Sequence, residues 1–318
     1  MQYTAVIRTL GKAGDKYQIL LDTLMKQTIA PKDIIVYIAE GYDIPTETIG
    51  VERYVYVKKG MVAQRALPYD EVETEYILFL DDDLYFPNDG VEKLYDALLK
   101  NDAEVVSPNV FENAKIPACD KIRMAFLGLN LPLFCEKKYA YKVLRGGGFS
   151  YNNNPIKPVY ESTTNAGPCF FCKKEDFLKI RFEEELWLDE TFYALPEDQV
   201  MFYKMHLCGL KILTSFDSGI IHLDAGSTNQ GNPLKKLNNL YSESRNKLIF
   251  WHRFIFLCEN NLIFRLWSIL CIAYVYFIRI CVMCLKLQRR ELGVWLAGMR
   301  SAYKFLKSDD YIKIKRVR

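Results

Sequence analysis

The sequence has little net charge, few histidines and no long uninterrupted apolar run, and each shortage excludes something. Its 42 basic and 39 acidic residues leave a formal charge of +3. This balance argues against a nucleic-acid-binding protein, because such proteins usually concentrate a basic face. The N-terminus lacks the charged-then-apolar pattern of a secretory signal peptide. We therefore expect a cytoplasmic protein whose nine cysteines are reduced thiols.

Short apolar runs alternate with amphipathic segments along the first hundred residues. The pattern predicts strands at 3–9, 34–38, 54–57 and 76–80, and helices at 15–27, from about Val62, and around 94–99. Strands alternating with helices predict an α/β fold with a Rossmann-like, mostly parallel sheet flanked by helices. Ligands of such sheets bind beyond the carboxyl ends of the strands.

The second half of the chain is less regular in the middle and apolar near its end. Residues 109–165 contain turn-prone glycine and asparagine clusters, which predict a loop over a site. Residues 266–278 carry no charge, but Arg279 follows them, and an arginine within a bilayer costs about 3 kcal/mol or more. We therefore favour one or two amphipathic helices lying in a membrane interface, with a spanning helix and a buried helix as alternatives. The basic tail 313–318 suits anionic lipid headgroups, or is a solvated terminus.

Three adjacent carboxylates, Asp81, Asp82 and Asp83, follow the strand predicted at 76–80. Like charges repel one another at a strand end, so such a triplet usually has a counter-ion. A hard divalent cation, Mg²⁺ or Mn²⁺, prefers oxygen ligands and can bridge two phosphates. The triplet therefore predicts a metal site, with a solvated acidic turn as the alternative.

A second acidic group, Glu197 and Asp198, precedes an amphipathic run. Carboxylates at a helix start are commonly caps. This pair lies ~115 residues after the triplet. In one fold class a metal site and a catalytic base follow each other along the chain in this order. His222, one of three histidines, follows an apolar segment. It is either a structural residue or the imidazole that completes a metal shell begun by Asp83.

Taken in order, these segments resemble glycosyltransferase family 2, whose members adopt the GT-A fold. Residues 5–9 resemble the first strand, 34–41 the second strand with its terminal acidic residue, and 59–65 the Gly…Ala-Arg stretch near the diphosphate. Residues 79–83 resemble the Asp-x-Asp motif, 165–168 the glycine loop under the acceptor, and Glu197-Asp198 the xED motif. His222 resembles the C-terminal metal histidine, and 241–246 and 296–300 resemble the tail of the rhamnosyltransferase-like branch.

The resemblance implies an inverting, metal-dependent glycosyltransferase of cell-surface polysaccharide synthesis. The donor would be a nucleotide diphosphate sugar, and the acceptor a hydroxyl of a glycan or lipid-linked saccharide. Asp198 would be the catalytic base and Glu197 would orient the acceptor. The remaining implied roles are binding of donor and acceptor by Thr9, Glu40, Arg65, Asp81, Asp82 and Gly167, and binding of Mn²⁺ or Mg²⁺ by Asp81, Asp83 and His222.

The resemblance also implies a division of the chain. Residues 1–240 would form the catalytic domain, with a nucleotide-binding half at 1–108 and an acceptor-binding half at 109–240. The change in composition from Tyr241 onwards predicts that residues 241–318 form a helical region that contacts the inner face of the cell membrane peripherally.

Three positions depart from the family pattern. Arg8-Thr9-Leu10-Gly11 stands where the family usually has Pro-Thr-Tyr-Asn, and Glu40 replaces an aspartate. The Gln-x-x-Arg-Trp motif of processive synthases is absent after Asp198, so we expect a single sugar addition. Two alternatives stay open: a phosphohydrolase with Asp81 as nucleophile, and a non-catalytic membrane adaptor that keeps the fold.

Overall fold

The chain forms an α/β structure, as the alternation of its segments predicts. The computed structural model describes residues 1–110, 116–128, 138–223, 232–314 and 316–317. The strands are β1 (Tyr3–Thr9), β2 (Asp33–Ala39), β3 (Glu52–Val57), β4 (Tyr76–Asp81), β5 (Leu84–Tyr85), β6 (Val105–Pro108), β7 (Tyr141–Val143), β8 (Phe149–Tyr151), β9 (Val159–Ser162), β10 (Cys169–Lys173), β11 (Ile212–Ser215) and β12 (Ile221–His222).

The helices flank the strands and dominate the last third of the chain. They are α1 (Asp15–Met25), α2 (Gly90–Asn101), α3 (Ala118–Phe126), α4 (Lys174–Lys179), α5 (Glu197–Leu207), α6 (Pro233–Phe250), α7 (Leu262–Leu285), α8 (Arg289–Leu306) and α9 (Asp309–Lys313). A 3₁₀ helix covers Phe182–Glu190, and a π-helical segment, Trp251–Phe256, follows α6.

Eight strands form one sheet in the order β3-β2-β1-β4-β10-β6-β11-β9. Strands β3, β2, β1 and β4 run parallel to one another. Strand β10 is antiparallel to both of its neighbours, β4 and β6. Strands β6 and β11 are parallel to each other, and the edge strand β9 is antiparallel to β11. Two further pairs, β5–β12 and β7–β8, lie outside this sheet. The carboxyl ends of β2, β1 and β4 therefore meet at one edge.

The sheet is buried on both faces. Neighbouring side chains along a strand point to opposite faces, and in the central strands both sets belong to hydrophobic clusters. Ala5 and Leu78 belong to the hydrophobic cluster that contains the buried face of α1 and α2. Val6 and Phe79 belong to a second cluster, which continues through α5 into α6, α7 and α8. The C-terminal helices thus share a core with the sheet.

The helix predicted from about Val62 is wrong, because residues 60–66 form only a turn. The amides of Gln64 and Ala66 donate to the carbonyls of Gly60 and Val62, as in a helix. Pro68 then follows, and a residue that precedes proline is disfavoured in the α region. Between these two bonds the Arg65 amide donates to Val62, three residues back, so no two consecutive α-helical hydrogen bonds form.

Several other predictions meet the structure only in part. The described portions of the loop predicted at 109–165 contain α3 and β7–β9, whereas 111–115 and 129–137 lie outside the described residues. Residues 315 and 318 of the basic tail also lie outside them. The domain boundary at 240 stays a prediction, and α6 runs across it.

One helix among the described residues, α7, is long and apolar enough to cross a membrane. Its packed face includes Tyr276 and Met283, whereas Leu270 and Phe277 are 61% and 64% exposed. Arg279 lies on the packed side, where its guanidinium is 3.7 Å from Glu243 and 5.6 Å from the Trp295 ring. An arginine therefore fits this helix without facing the exposed apolar side.

A buried ion network joins the 3₁₀ helix, α5 and the π-helical segment. The fully buried carboxylate of Glu185 accepts hydrogen bonds from Lys204 Nζ at 2.7 Å and from Arg253 Nη2 at 2.8 Å. Burial alone would raise the pKa of Glu185, but the charges of Lys204 and Arg253 lower it. The network fixes the middle of α5 against the C-terminal helices.

Helix α8 packs on α6 through Gly298, where a Cβ atom would lie 1.8 Å from Ser244 Oγ and 2.8 Å from the Tyr241 carbonyl oxygen. Gly298→Ala should therefore lower the free energy of unfolding by about 1–3 kcal/mol, measured by denaturant titration. At Gly293, on the same helix, a Cβ atom would meet no other atom within 4 Å. Gly293→Ala should stabilise the protein by about 0.5–1 kcal/mol. Equal effects of the two substitutions would contradict the close packing of α6 and α8.

Candidate functional site

The predicted site residues gather at the sheet edge where β2, β1 and β4 end. Thr9 is the last residue of β1, Glu40 follows β2, and Asp81 ends β4. The register pairs Arg8 of β1 with Asp81 of β4. Open parallel sheets bind their ligands at this edge.

Arg8 engages Asp81 directly across the two neighbouring strands. Its Nε donates to one carboxylate oxygen and its Nη2 donates to the other at 3.2 Å. Burial alone would lower the pKa of Arg8. The negative charges of Asp81, Glu197 and Asp198 raise this pKa by more than burial lowers it, so the guanidinium stays charged. Arg8 was not among the residues predicted for the site, although its position one residue before a strand end is a usable signal.

Arg65 is the cation at the centre of the site, and its side chain is only 3% exposed. Nη1 donates to Asp198 Oδ1 at 2.7 Å, and Nη2 donates to the Gly167 carbonyl at 2.8 Å. The same guanidinium lies 3.7 Å from both Asp81 and Glu197. Arg65 therefore joins the strand-end carboxylates to the acidic pair.

Glu197 and Asp198 begin α5, and neither side chain caps the helix with a hydrogen bond. Burial and the adjacent Asp198 raise the pKa of Glu197 despite the opposing arginines. Burial would also raise the pKa of Asp198, but Arg65, Arg8 and the Gly167 amide lower it. Glu197 is thus biased towards its neutral form, while Asp198 is held as a carboxylate that can accept a proton. Perturbed pairs of this kind are typical of functional sites.

Gly167 lies against Asp198 so closely that no side chain fits there. A Cβ atom at Gly167 would be 1.8 Å from Asp198 Oδ1 and 2.8 Å from Arg65 Nη1. Asn165 steadies this loop by donating to Thr214 Oγ1 at 2.9 Å. The predicted glycine loop thus contacts the acidic pair directly.

Asp82 points to the end of β1, where it accepts a hydrogen bond from the Thr9 hydroxyl. Burial raises the pKa of Asp82 to about 6; the Thr9 hydrogen bond opposes this, and the charges of Asp81 and Asp83 add to it. The Thr9 hydroxyl also accepts from the Gly11 amide at 2.8 Å. Thr9 and Asp82 therefore shape the loop after β1, where a nucleotide is predicted to bind.

Asp83 and His222 form a separate pair beside the arginine cluster. His222 Nε2 lies 2.9 Å from Asp83 Oδ1, because the β5–β12 ladder and the bond from the Leu223 amide to the Asp83 carbonyl bring the two residues together. Two neighbouring ligands of an octahedral ion, each ~2.1 Å from it, would be ~3.0 Å apart. A carboxylate and an imidazole at this spacing fit two ligand positions of a divalent cation.

The third predicted metal ligand, Asp81, is turned towards Arg8 instead of the Asp83–His222 pair. Among the residues that the structure describes, no three His, Cys, Asp or Glu side chains form a cluster that could hold a metal ion. The complete ligand set therefore stays a prediction, with two of its three members in contact.

Glu40 is exposed at the end of β2, and its amide donates to the Val57 carbonyl at 2.8 Å. Nearby, Tyr42 lies between Lys12 and Lys59, whose ammonium nitrogens are 4.9 Å and 4.8 Å from its ring centroid. Contact between Glu40 and a nucleotide base stays a prediction. The two lysines add positive charge to the edge where a diphosphate is predicted to bind.

Asp189 supports the site from outside it and was not identified from the sequence. Its carboxylate accepts from the amides of Val62 at 3.1 Å and Ala63 at 2.8 Å, which fixes the turn that carries Arg65. A Cβ atom at Gly60 would lie 2.3 Å from Asp189 Oδ2. No local pattern could reveal a contact between residues 126 positions apart.

Known proteins share this fold and part of this sequence. Residues 30–130 match the sequence model of one protein family. That family is glycosyl transferase family 2. The matched third of the chain includes the aspartate triplet and ends before Glu197 and Asp198. No curated protein matches the chain significantly.

Solved structures extend the similarity to most of the chain. S. aureus TarS 1-349 shares 14% identity at a TM-score of 0.52, with 94% of this chain and 79% of that chain covered. The complex of TarS 1-349 with UDP-GlcNAc shares 12% identity at a TM-score of 0.51, with 96% of this chain and 81% of that chain covered. GalNAc-T7 with UDP, GalNAc and Mn²⁺ shares 14% identity at a TM-score of 0.49, with 83% of this chain and 52% of that chain covered. This similarity is too low to support a conclusion. The predicted α/β GT-A-like fold with an apolar C-terminal helix is confirmed, whereas the rhamnosyltransferase-like branch stays a prediction.

Removal of the central cation should destabilise the protein. Arg65→Met leaves buried carboxylates uncompensated, so we expect a loss of about 3–5 kcal/mol in the free energy of unfolding at pH 7. Because Asp198 has a lowered pKa in the folded state, its ionised form contributes stability above its unfolded pKa and loses it as pH falls. The loss caused by Arg65→Met should therefore shrink towards pH 3.

Denaturant unfolding of wild type and variant across pH 3–7 measures this difference. Arg53→Met is the matched control, since Arg53 is an exposed guanidinium that donates to the Glu71 carbonyl. A loss from Arg65→Met that equals that of the control, or that does not change with pH, would show that Arg65 does not hold the carboxylates together.

Proposed function

We propose that this chain is an inverting, metal-dependent glycosyltransferase that uses a nucleotide diphosphate sugar. The observation that carries the proposal is the contact of Arg65 with Asp198, Glu197 and Asp81 at the carboxyl edge of the sheet. It unites a strand-end acidic motif with a carboxylate that is 32% exposed and held in its ionised form. The family match and the TarS-like fold support the same class of reaction.

In this reaction an acceptor hydroxyl attacks the anomeric carbon while the bond to the diphosphate breaks. Asp198 takes the hydroxyl proton, and Glu197, which burial biases towards its neutral form, orients the acceptor. Gly167 packs against Asp198 and would lie beneath the acceptor. General-base help of this kind typically contributes about 10²–10⁴ in rate.

The donor lies along the ends of β2, β1 and β4. Thr9, Asp82 and Glu40 hold the nucleoside side, and Arg65 lies near the phosphates. Asp83 and His222 would hold Mn²⁺ or Mg²⁺, with Asp81, which contacts Arg8 in this structure, as the third predicted ligand. A bound cation would supply positive charge near the leaving diphosphate. We also propose a cytoplasmic location with the exposed face of α7 against the membrane, and a glycan or lipid-linked acceptor of cell-surface polysaccharide synthesis.

The catalytic base is tested on the protein's own donor. A panel of nucleotide sugars with Mn²⁺, assayed by nucleotide release, first identifies that donor. Asp198→Asn should then lower turnover by about 10²–10⁴ and leave nucleotide affinity nearly unchanged, because the amide cannot accept the proton. Asp96→Asn, an exposed change on α2, is the control.

Three outcomes would overturn the base assignment or the proposed function. Turnover above a few per cent of wild type in Asp198→Asn would exclude Asp198 as the base. Hydrolysis that Asp198→Asn retains and Asp81→Asn abolishes would favour the phosphohydrolase alternative. Failure to bind any nucleotide with Mn²⁺ would favour the adaptor.

The cation site is tested by calorimetry with Mn²⁺ and a panel of nucleoside diphosphates. His222→Gln should weaken binding of the preferred nucleotide at least about tenfold with Mn²⁺ and leave it unchanged in EDTA, because only the metal-bridged contacts are lost. His206→Gln, an exposed change at the other end of α5, should have no effect. If Mn²⁺ does not strengthen nucleotide binding by the wild type, the metal proposal is wrong.

A further inference from the structure

A cavity of about 970 Å³ lies between α5, the β7–β8 hairpin and the C-terminal helices. Its volume is at the upper end of the range of about 300–1,000 Å³ for small-molecule sites. Most of the lining is apolar, with Val143, Phe254 and Ile255 among the contributing residues. None of the residues assigned to the donor or to the reaction lines it, so the cavity is a second site.

The cavity opens on the exposed apolar side of α7. Trp267, Leu270 and Tyr274 line the cavity, and each also has a large exposed fraction at the protein surface. An adjoining part of the lining comes from Gly128, two residues after α3, where an added Cβ atom would lie 3.3 Å from Val275 of α7. An apolar ligand can therefore pass from the face of α7 into the cavity without crossing a polar surface.

Helix α5 connects the cavity to the acidic pair. Tyr203 lines the cavity and lies five residues after Asp198, which is ~7.5 Å along the helix axis. Between them, Gln199 donates to the Gly147 carbonyl at 3.2 Å, which ties the cavity wall to the first turn of the helix. The cavity therefore lies beside the helix that begins with the acidic pair.

The charged groups of the lining favour an anionic headgroup. Among the described residues of the lining, the charged side chains are Lys142, Arg145 and Glu259, and their charges sum to +1. Arg145 donates to Glu259 at 2.8 Å, so Lys142 supplies the uncompensated charge of this group of three. Lys142 Nζ lies 5.5 Å from the Tyr139 ring centroid. A phosphate beside Lys142 would complement this charge.

We propose that the cavity binds the hydrocarbon chain of a lipid phosphate. The proposal rests on the cavity and its lining, not on the proposed glycosyl transfer. A peptide segment is a poorer occupant, because its backbone amides and carbonyls would find few partners in an apolar lining. A hydrocarbon chain needs none.

Binding of alkyl phosphates to the full chain tests the proposal without any donor. Octyl, decyl and dodecyl phosphate, each below its micelle concentration, should bind one to one and quench or shift the fluorescence of Trp267. Affinity should rise roughly tenfold for each two methylenes added, because each buried methylene contributes to transfer from water. Dodecyltrimethylammonium should bind several-fold more weakly, and Lys142→Met should remove that preference.

Two variants on α7 distinguish the cavity from the exposed face of the helix. Cys271 lines the cavity, so Cys271→Trp should fill it and weaken dodecyl phosphate binding at least tenfold. Cys284 is exposed on the same helix, and Cys284→Trp should bind like the wild type. Ala125→Phe fills the cavity from α3 and should repeat the loss if Cys271→Trp does not fold.

Equal binding by the cavity-filling variants and Cys284→Trp would overturn the proposal, because the lipid would then lie on the surface. Absence of one-to-one binding by the wild type would do the same. The two proposals fail separately. Transfer to soluble acceptors without lipid binding would leave the glycosyltransferase intact and reject the lipid site. Cavity-dependent lipid binding without transfer from any donor would do the reverse.

Discussion

The site depends on one buried positive charge, the guanidinium of Arg65. Three carboxylates from β4 and α5 approach one another at the sheet edge, and their mutual repulsion in a poorly solvated place would be costly without a cation between them. Arg65 donates hydrogen bonds to Asp198 and to the Gly167 carbonyl, and Arg8 donates to Asp81, so both arginines offset the negative charge. The turn at 60–66, the glycine loop and the start of α5 are thereby held in one arrangement before any ligand binds.

Local patterns in the sequence were enough to predict the strands that present the site. Residues 3–9 coincide with β1, and the apolar run at 76–80 forms all but the last residue of β4, because a buried parallel strand is marked by apolar residues bounded by charge. The apolar run after Asp198 likewise predicted a helix there, and α5 begins at Glu197. The expected helix at Val62 failed, since its hydrogen bonds are not consecutive and Pro68 follows closely.

Partner choice within the site could not be predicted, because it depends on contacts between distant segments. Arg8 and Asp81 are 73 positions apart, and Asp189 reaches Ala63 across 126 positions. Contacts between residues so far apart in the chain produce no periodic pattern in the sequence. The resemblance implied that Asp81, Asp83 and His222 bind a metal, yet in the fold Asp81 bonds to Arg8 and Asp82 to Thr9, which leaves Asp83 with His222. Composition marks where charge accumulates, whereas the strand register decides which neighbour each charge meets.

The Glu185–Lys204–Arg253 network limits how α7 can move relative to the acidic pair. It ties α5, which begins with the acidic pair, to the segment that leads into α7. Because breaking a buried ion network is expensive, the apolar helix cannot swing on a flexible tether. If α7 rests on a bilayer, the height and tilt of the reaction centre above the lipid plane are fixed by the fold. Only acceptors whose reactive hydroxyl stands at that height would be modified.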